Sequence, residues 1–154
     1  IFYSDSTDGG RSFAARVRLD GGSGGAHPQI AVSGSRVAIG WDGKNAASQA
    51  VSAAVPYLAA AEHVEILCVQ RPGKTAVTEA LHSYLSLHGV TCSERTIARD
   101  GKSTGDVLLQ AAHEGDADLL VVGGYGHSRF RESFIGGVTR HVLTHADLPV
   151  FMVH

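Results

Sequence analysis

Apolar and polar positions follow two different periods along the chain from residue 36 onward. Short runs rich in Val, Ile and Leu predict strands, and the longer blocks between them predict helices. The predicted strands cover residues 36–41, 64–69, 91–98, 118–123 and 149–153, and the predicted helices cover residues 45–61, 74–88, 103–114 and 131–145. Strand–helix alternation over this length predicts an α/β fold with a five-stranded doubly wound parallel sheet and helices on both faces.

Residues at the ends of the predicted helices support these limits. Asn45 and Ser103 are suited to cap the first and third helices, and Gly89 follows the second in a position that favours a left-handed C-cap. Pro56 lies deep inside the first helix, where it removes a backbone donor and clashes with the preceding turn. We therefore expect a kink or a break at Pro56.

The first 35 residues have a different character, with seven glycines and little helical periodicity. Residues 13–19 alternate in a period of two, which predicts a strand. The turn residues before them, from Ser6 to Phe13, resemble the Asp-box hairpin of sialidase-type β-propellers. A propeller needs several blades, so we interpret residues 1–35 as a β-hairpin and glycine-rich linker preceding a domain at 36–154.

Composition narrows the class of protein. The chain has 154 residues and 16.1 kDa, enough for one domain with its own core, and its 44 % apolar and 18 % charged residues are typical of a globular protein. A net charge of −2 without a Lys/Arg run argues against nucleic acid as a partner. We expect no membrane span, a cytoplasmic location, and core positions for Cys68 and Cys92. A start at Ile1 and not at Met is typical of a fragment or a processed product.

Two loops are expected to form a ligand site, because open α/β sheets bind ligands beyond the carboxyl ends of their strands, where strand order reverses. One is residues 40–43 after the first strand, and the other is residues 123–126 after the fourth. Glycine-rich backbone can turn successive N–H groups inward, and the positive end of the following helix adds to the attraction for an anion. The sequence therefore predicts an anionic ligand.

Glycines continue beyond the second loop at a defined spacing: Gly123, two residues, Gly126, nine residues, then Gly136 and Gly137. With the strand motifs at 37–43 and 118–123, this pattern resembles the universal stress protein family over residues 36–154. The resemblance implies a regulatory, stress-response domain that binds ATP with Mg²⁺, with slow ATP hydrolysis at most, and that forms a homodimer or tandem pair through the edge strand 149–153.

The resemblance also implies roles for individual residues. Asp42 would hydrogen-bond the ribose hydroxyls with Gly40 and Trp41 beside the base, while Val69 would meet adenine and Val122 would pack under the nucleotide.

Phosphate contacts are implied for the backbone N–H groups of four glycines, and two further residues complete this shell. The glycines are Gly123, Gly126, Gly136 and Gly137, and the completing residues are Val138 and Thr139.

His127 and Arg129 directly follow the second loop, so they are candidates to neutralise a triphosphate. The alternative is that both side chains are simply exposed.

One position departs from the family pattern. Where ATP-binding members carry Ser or Thr after the last glycine, this chain has Gly137, so a hydroxyl donor to phosphate is lost. A hydrogen bond to a charged group contributes about 1.5–3 kcal/mol, so the loss corresponds to roughly a ten- to hundredfold weaker affinity. Thr139, two residues on, is a candidate to compensate.

Other motifs are weaker. Residues 101–104, Gly-Lys-Ser-Thr, lack the earlier glycine of a P-loop, and a helix start capped by Ser103 explains them. His141 and His145 have helical i, i+4 spacing but no third metal ligand nearby. We recognise no nucleophile, base and orienting group in the sequence, so no catalytic residue is assigned.

Two alternatives stay open beside ATP binding: a module that acts by association alone, and an enzyme resembling adenine-nucleotide hydrolases.

Overall fold

The computed structural model describes residues 2–3, 17–18, 35–70, 77–124 and 137–153. The chain divides into two compact units, Ile1–Ala31 and Val32–His154. In the first unit, strand β1 (Phe2–Tyr3) pairs antiparallel with strand β2 (Val17–Arg18). The second strand lies within the predicted residues 13–19. The Asp-box residues and the glycine-rich linker lie outside the described residues.

The second unit contains a sheet of five parallel strands, in the spatial order β5 (Cys92–Ile97), β4 (His63–Val69), β3 (Arg36–Trp41), β6 (Leu119–Gly123) and β7 (Val150–Val153). This arrangement confirms the predicted doubly wound fold, with four helices connecting the strands. In chain order the elements are β3 (Arg36–Trp41), α1 (Asn45–Ala60), β4 (His63–Val69), α2 (Glu79–Leu87), β5 (Cys92–Ile97), α3 (Thr104–Glu114), β6 (Leu119–Gly123), α4 (Gly137–His145) and β7 (Val150–Val153).

Two apolar layers cover the two faces of the sheet. Ile39 and Ile66 pack with residues of α1 and α2, whereas Ala38 and Leu67 pack with residues of α3 and α4. Successive strand residues thus alternate between the layers, and both faces are buried. This double burial explains why the central strands are continuous apolar runs.

Two of the predicted helix ends are confirmed. The Asp106 N–H donates to Ser103 Oγ over 3.1 Å at the start of α3, and Gly89 has a φ of +72° just beyond α2. The Asn45 cap is wrong, because Asn45 is the first residue of α1 and Lys44 takes the cap position without a side-chain hydrogen bond. Helix α1 is also not broken at Pro56, since it runs continuously to Ala60.

The thiol of Cys68 gives the domain a pH dependence above neutrality. Cys68 is 3 % exposed on β4, and burial, with a smaller effect of Glu94, raises its pKa from 9.0 to about 11. Above pH 9 the unfolded chain ionises while the folded chain keeps its proton, so stability falls as pH rises. We expect the raised pKa of Cys68 to lower the free energy of unfolding by about 1 kcal/mol between neutral pH and pH 10.

Urea unfolding of the wild type and of Cys68→Ala at pH 8 and pH 10 measures this contribution. The variant is less stable at both pH values because a side chain is lost from the core, but its decrease between them should be smaller than that of the wild type. Equal decreases in the two proteins would contradict the assignment.

Candidate functional site

A cavity of about 130 Å³ lies beyond the carboxyl ends of β3 and β6. From β3 the chain builds the sheet in one direction through β4 and β5, then crosses back to add β6 and β7 on the other side. The cavity therefore lies where strand order reverses, which is the ligand position expected for this architecture. It is open and contains Asp42 in its lining.

The cavity brings together most of the residues to which the sequence assigned a ligand role. Those that line it are Gly40, Trp41, Asp42, Val69, Val122, Gly123, Gly137, Val138 and Thr139. The other predicted residues, Gly126, His127, Arg129 and Gly136, lie outside the described residues. Their ligand roles, like those of the lining residues, stay predictions.

Apolar side chains form much of the lining, including Val69, Val122 and Leu108. Trp41 lies beside them, and its indole N–H donates to the Val77 carbonyl oxygen over 3.1 Å. This bond ties the end of β3 to the residues that precede α2. An apolar cleft with a few polar groups at its edge is suited to a planar aromatic ring with polar substituents.

Asp42 and Lys44 supply charge at the mouth of the cavity. The Lys44 N–H donates to Asp42 Oδ1 over 3.1 Å, and Lys44 Nζ lies 3.4 Å from Asp42 Oδ2. Both side chains are about one-third exposed, at 37 % for Asp42 and 34 % for Lys44. Contact with Lys44 orients the carboxylate of Asp42 while leaving it open to solvent, so hydroxyl groups of a ligand can reach it.

Helix N-termini converge on the cavity. Ala46 and Ala47 of α1, Thr104 of α3 and Gly137 of α4 lie in first turns and line it. The first N–H groups of a helix have no partner within the helix and carry a partial positive charge. Neither α1 nor α4 has an acidic residue in its first turn to neutralise that charge. The arrangement favours an anionic ligand.

The glycines of the site are explained in different ways. A Cβ built on Gly123 would lie 2.5 Å from the backbone carbonyl carbon of Ala46 and from the Ala47 nitrogen, so close packing of β6 on α1 requires glycine there. A Cβ on Gly40 would lie 2.9 Å from Val122 Cγ1. Gly137 differs, because a Cβ built on it would meet no atom of the described residues within 4 Å. Glycine at 137 is therefore not required by packing.

Several lining residues were missed from the sequence: Lys44, Ala46, Ala47, Thr104 and Leu108. The first three directly follow the predicted loop 40–43, and extending that loop into the first turn of α1 would have included them. Thr104 and Leu108 come from a different part of the chain. The sequence does predict a helix that starts at residues 101–104 after a strand. Such a helix start lies at the ligand-binding edge of the sheet, but these residues were assigned only a capping role.

A cysteine, a histidine and a glutamate are in contact with one another in another part of the molecule. Cys92 Sγ lies 3.3 Å from His82 Nδ1, and His82 Nε2 lies 3.1 Å from Glu94 Oε2. Hydrogen bonds from Thr78 and then His82 lower the pKa of Glu94, whereas burial and then Glu94 raise the pKa of Cys92. The thiol is thus protonated at neutral pH, and the contacts join α2 to β5.

The two histidines of α4 also have partners. The rings of His141 and His145 stack with centroids 4.2 Å apart, and His141 Nε2 lies 2.8 Å from Asp106 Oδ1. The pKa of Asp106 is lowered, first by its hydrogen bond from Ser103 and less by His141. In the part of the chain that the structure describes, no group of three or more His, Cys, Asp or Glu side chains is arranged to hold a metal ion.

The model of the universal stress protein family matches residues 35–154. Because this match covers most of the chain, the protein belongs to the universal stress protein family. Among curated proteins none matched the sequence. No described helix is long and apolar enough to cross a membrane.

Solved structures of similar proteins agree with the fold. A universal stress protein in complex with cAMP is 28 % identical with a TM-score of 0.66, covering 80 % of this chain and 98 % of its own. A protein from Mycobacterium tuberculosis H37Rv is 30 % identical with a TM-score of 0.53, covering 80 % and 97 %. The Archaeoglobus fulgidus universal stress protein in complex with dAMP is 22 % identical with a TM-score of 0.57, covering 79 % and 98 %.

Proposed function

We propose that this domain binds an adenine nucleotide, ATP with Mg²⁺, in the cavity at the switch point and serves as a regulatory domain in a stress response. The observation that carries the proposal is the cavity itself, in which apolar side chains, the carboxylate of Asp42 and several helix N-termini surround one space. These groups are complementary to a base, a ribose and phosphates, respectively. The cAMP and dAMP complexes of similar proteins support the same class of ligand.

Different residues of the cavity would contact different parts of the nucleotide. Val69 and Val122 would enclose the adenine beside Trp41, Asp42 would accept hydrogen bonds from the ribose hydroxyls, and the N-terminal amides of α1 and α4 would meet the phosphates. Mg²⁺ takes oxygen ligands and keeps several waters, so the phosphates and water would hold most of its coordination sphere. Asp42 is the one carboxylate that lines the described part of the cavity.

Trp41 provides a direct measurement, since it is the only tryptophan in the sequence and it lines the cavity. Addition of ATP and Mg²⁺ should change its fluorescence with a saturable dependence on concentration, and isothermal titration should give the same dissociation constant. Failure to bind ATP, AMP or cAMP at millimolar concentration would contradict the proposal. The remaining candidate would then be association alone, which the missing hydroxyl at Gly137 favours.

Asp42→Ala should weaken ATP binding about tenfold, because a hydrogen bond to a charged group is lost. Asp147→Ala is the matched control, since Asp147 is an exposed aspartate beyond α4 and does not line the cavity. Equal affinities of the two variants would remove Asp42 from the ribose site. Phosphate release, measured with the same proteins, tests the alternative that the domain hydrolyses ATP.

Strand β7 is the terminal strand of the five-stranded sheet. Its outer edge carries N–H and C=O groups that can pair with another strand, and we propose a homodimer formed through this edge. Light scattering at micromolar concentration should give twice the mass of the chain. A monomer mass would contradict the proposal.

A cytoplasmic location also stays a prediction, which cell fractionation tests.

A further inference from the structure

Residues 101–104 look like the end of a P-loop. In the structure the last of them, Thr104, lies at the candidate ligand site. Thr104 is the first residue of α3 and lines the cavity together with Leu108. Residues four apart lie on the same face of a helix. The side chain of Leu108 would be 3.3 Å from a Cβ on Gly40, so this face of α3 is turned toward the end of β3. The Thr104 side chain, on the same face of α3, is also turned toward the end of β3.

The first turn of α3 lies beside α4. A Cβ on Gly105 would be only 2.8 Å from His141 Cβ, so the two helices approach closely one residue after Thr104 and one turn after Gly137. Thr104 and Gly137 both border the cavity at this junction. Among the described residues, no atom lies within 4 Å of a Cβ built on Gly137, where a serine or threonine side chain would begin. A hydroxyl group on Thr104 is therefore available at the same end of the cavity.

Thr104 is better placed than Thr139 to act on a ligand. Thr139 is 5 % exposed and already interacts within the chain, whereas Thr104 is half-buried at the cavity surface. No hydrogen bond of the Thr104 hydroxyl is formed in the described structure. A threonine hydroxyl has one donor hydrogen and rotates to suit its partner.

We propose that the Thr104 hydroxyl donates a hydrogen bond to a phosphate oxygen of the bound adenine nucleotide and so replaces the donor that Gly137 lacks. This inference rests on the proposed function, because it assigns a residue to the same ligand. Thr104 would be a specificity-determining residue, since its contact exists only when the ligand carries phosphate. Adenosine would bind without it.

Binding of ATP and of adenosine to the full chain tests the assignment through Trp41 fluorescence and isothermal titration. Thr104→Val should weaken ATP binding about tenfold by removing a donor to a charged group, and Thr104→Ser should keep wild-type affinity. Adenosine affinity should be the same in all three proteins. Thr96→Val is the matched control, because Thr96 is exposed on β5 and does not line the cavity.

A second background separates a direct contact from a packing effect. In Gly137→Ser protein, Thr104→Val should cost less ATP affinity than in the wild type, since the introduced serine supplies a donor to the same group. If Thr104→Val does not fold, Thr104→Ala is compared with Thr104→Ser instead.

The outcomes distinguish this inference from the function on which it rests. Wild-type ATP affinity in the Thr104→Val protein, or equal weakening of ATP and adenosine, overturns the role of Thr104 and leaves nucleotide binding standing. Absence of ATP and adenosine binding by the wild type overturns both.

Discussion

Gly123→Ala is expected to lower the free energy of unfolding by about 3 kcal/mol, at the upper end of the effect of adding a methyl group to a close-packed site. The added Cβ would lie 2.5 Å from the Ala46 carbonyl carbon and from the Ala47 nitrogen, which are backbone atoms of α1. Backbone cannot rotate aside as a side chain can, so the end of β6 and the start of α1 must separate. Urea unfolding, followed by circular dichroism, measures the loss.

Gly124→Ala is the matched control for this effect. Its Cβ would lie 2.9 Å from Met152 Cγ and 3.1 Å from Met152 Sδ, atoms of an unbranched and flexible side chain. A small adjustment of Met152 relieves that contact, and we expect a loss below about 1 kcal/mol. Equal losses in the two variants would show that the backbone contact at Gly123 does not limit the packing of β6 against α1.

The contact at Gly123 has a consequence for the site. Close packing of β6 on the first turn of α1 brings Ala46 and Ala47 to the edge of the cavity, next to the end of β6. A glycine that a ligand motif would explain by phosphate contact is thus also required by the fold. Gly123→Ala should therefore weaken nucleotide binding together with stability.

The strands of the sheet could be predicted from the sequence because the cause is local. Residues 37–39 and 119–122 are apolar on both faces, and burial between two helical layers demands that pattern. The end of a helix depends on smaller differences. Lys44 and Asn45 are adjacent polar residues at the start of α1, and the predicted cap at Asn45 lies one residue beyond the observed cap position.

Contacts between distant segments could not be predicted in the same way. Thr104 and Leu108 reach the cavity only because α3 packs beside α4 and over the end of β3. The neighbours of Cys92 likewise come from α2 and from the same face of β5. Sequence spacing describes positions within one element, whereas these contacts depend on the distance between elements.

Gly137→Ser should raise the affinity for ATP roughly ten- to hundredfold in the Thr104→Val protein, because a hydrogen bond to a charged group contributes about 1.5–3 kcal/mol. In the wild type the gain should be smaller, since the Thr104 hydroxyl already donates to the same group. Gly137 begins α4 at the cavity, and no described residue has an atom within 4 Å of a Cβ built on it, so the new side chain does not clash with the described part of the chain. Trp41 fluorescence and isothermal titration measure the dissociation constant. The same substitution should leave adenosine affinity unchanged, since adenosine has no phosphate to accept the bond.

Gly137→Ala separates the hydroxyl from the other effects of replacing glycine. Alanine favours a helix over glycine by about 1 kcal/mol and would stabilise the first turn of α4, but it adds no donor. If Gly137→Ala and Gly137→Ser raise ATP affinity equally, order in the helix and not a hydrogen bond is responsible. If only Gly137→Ser binds ATP and the wild type does not, the cavity has kept its shape while the chain has lost its ligand, and association with partners becomes the function that the domain performs.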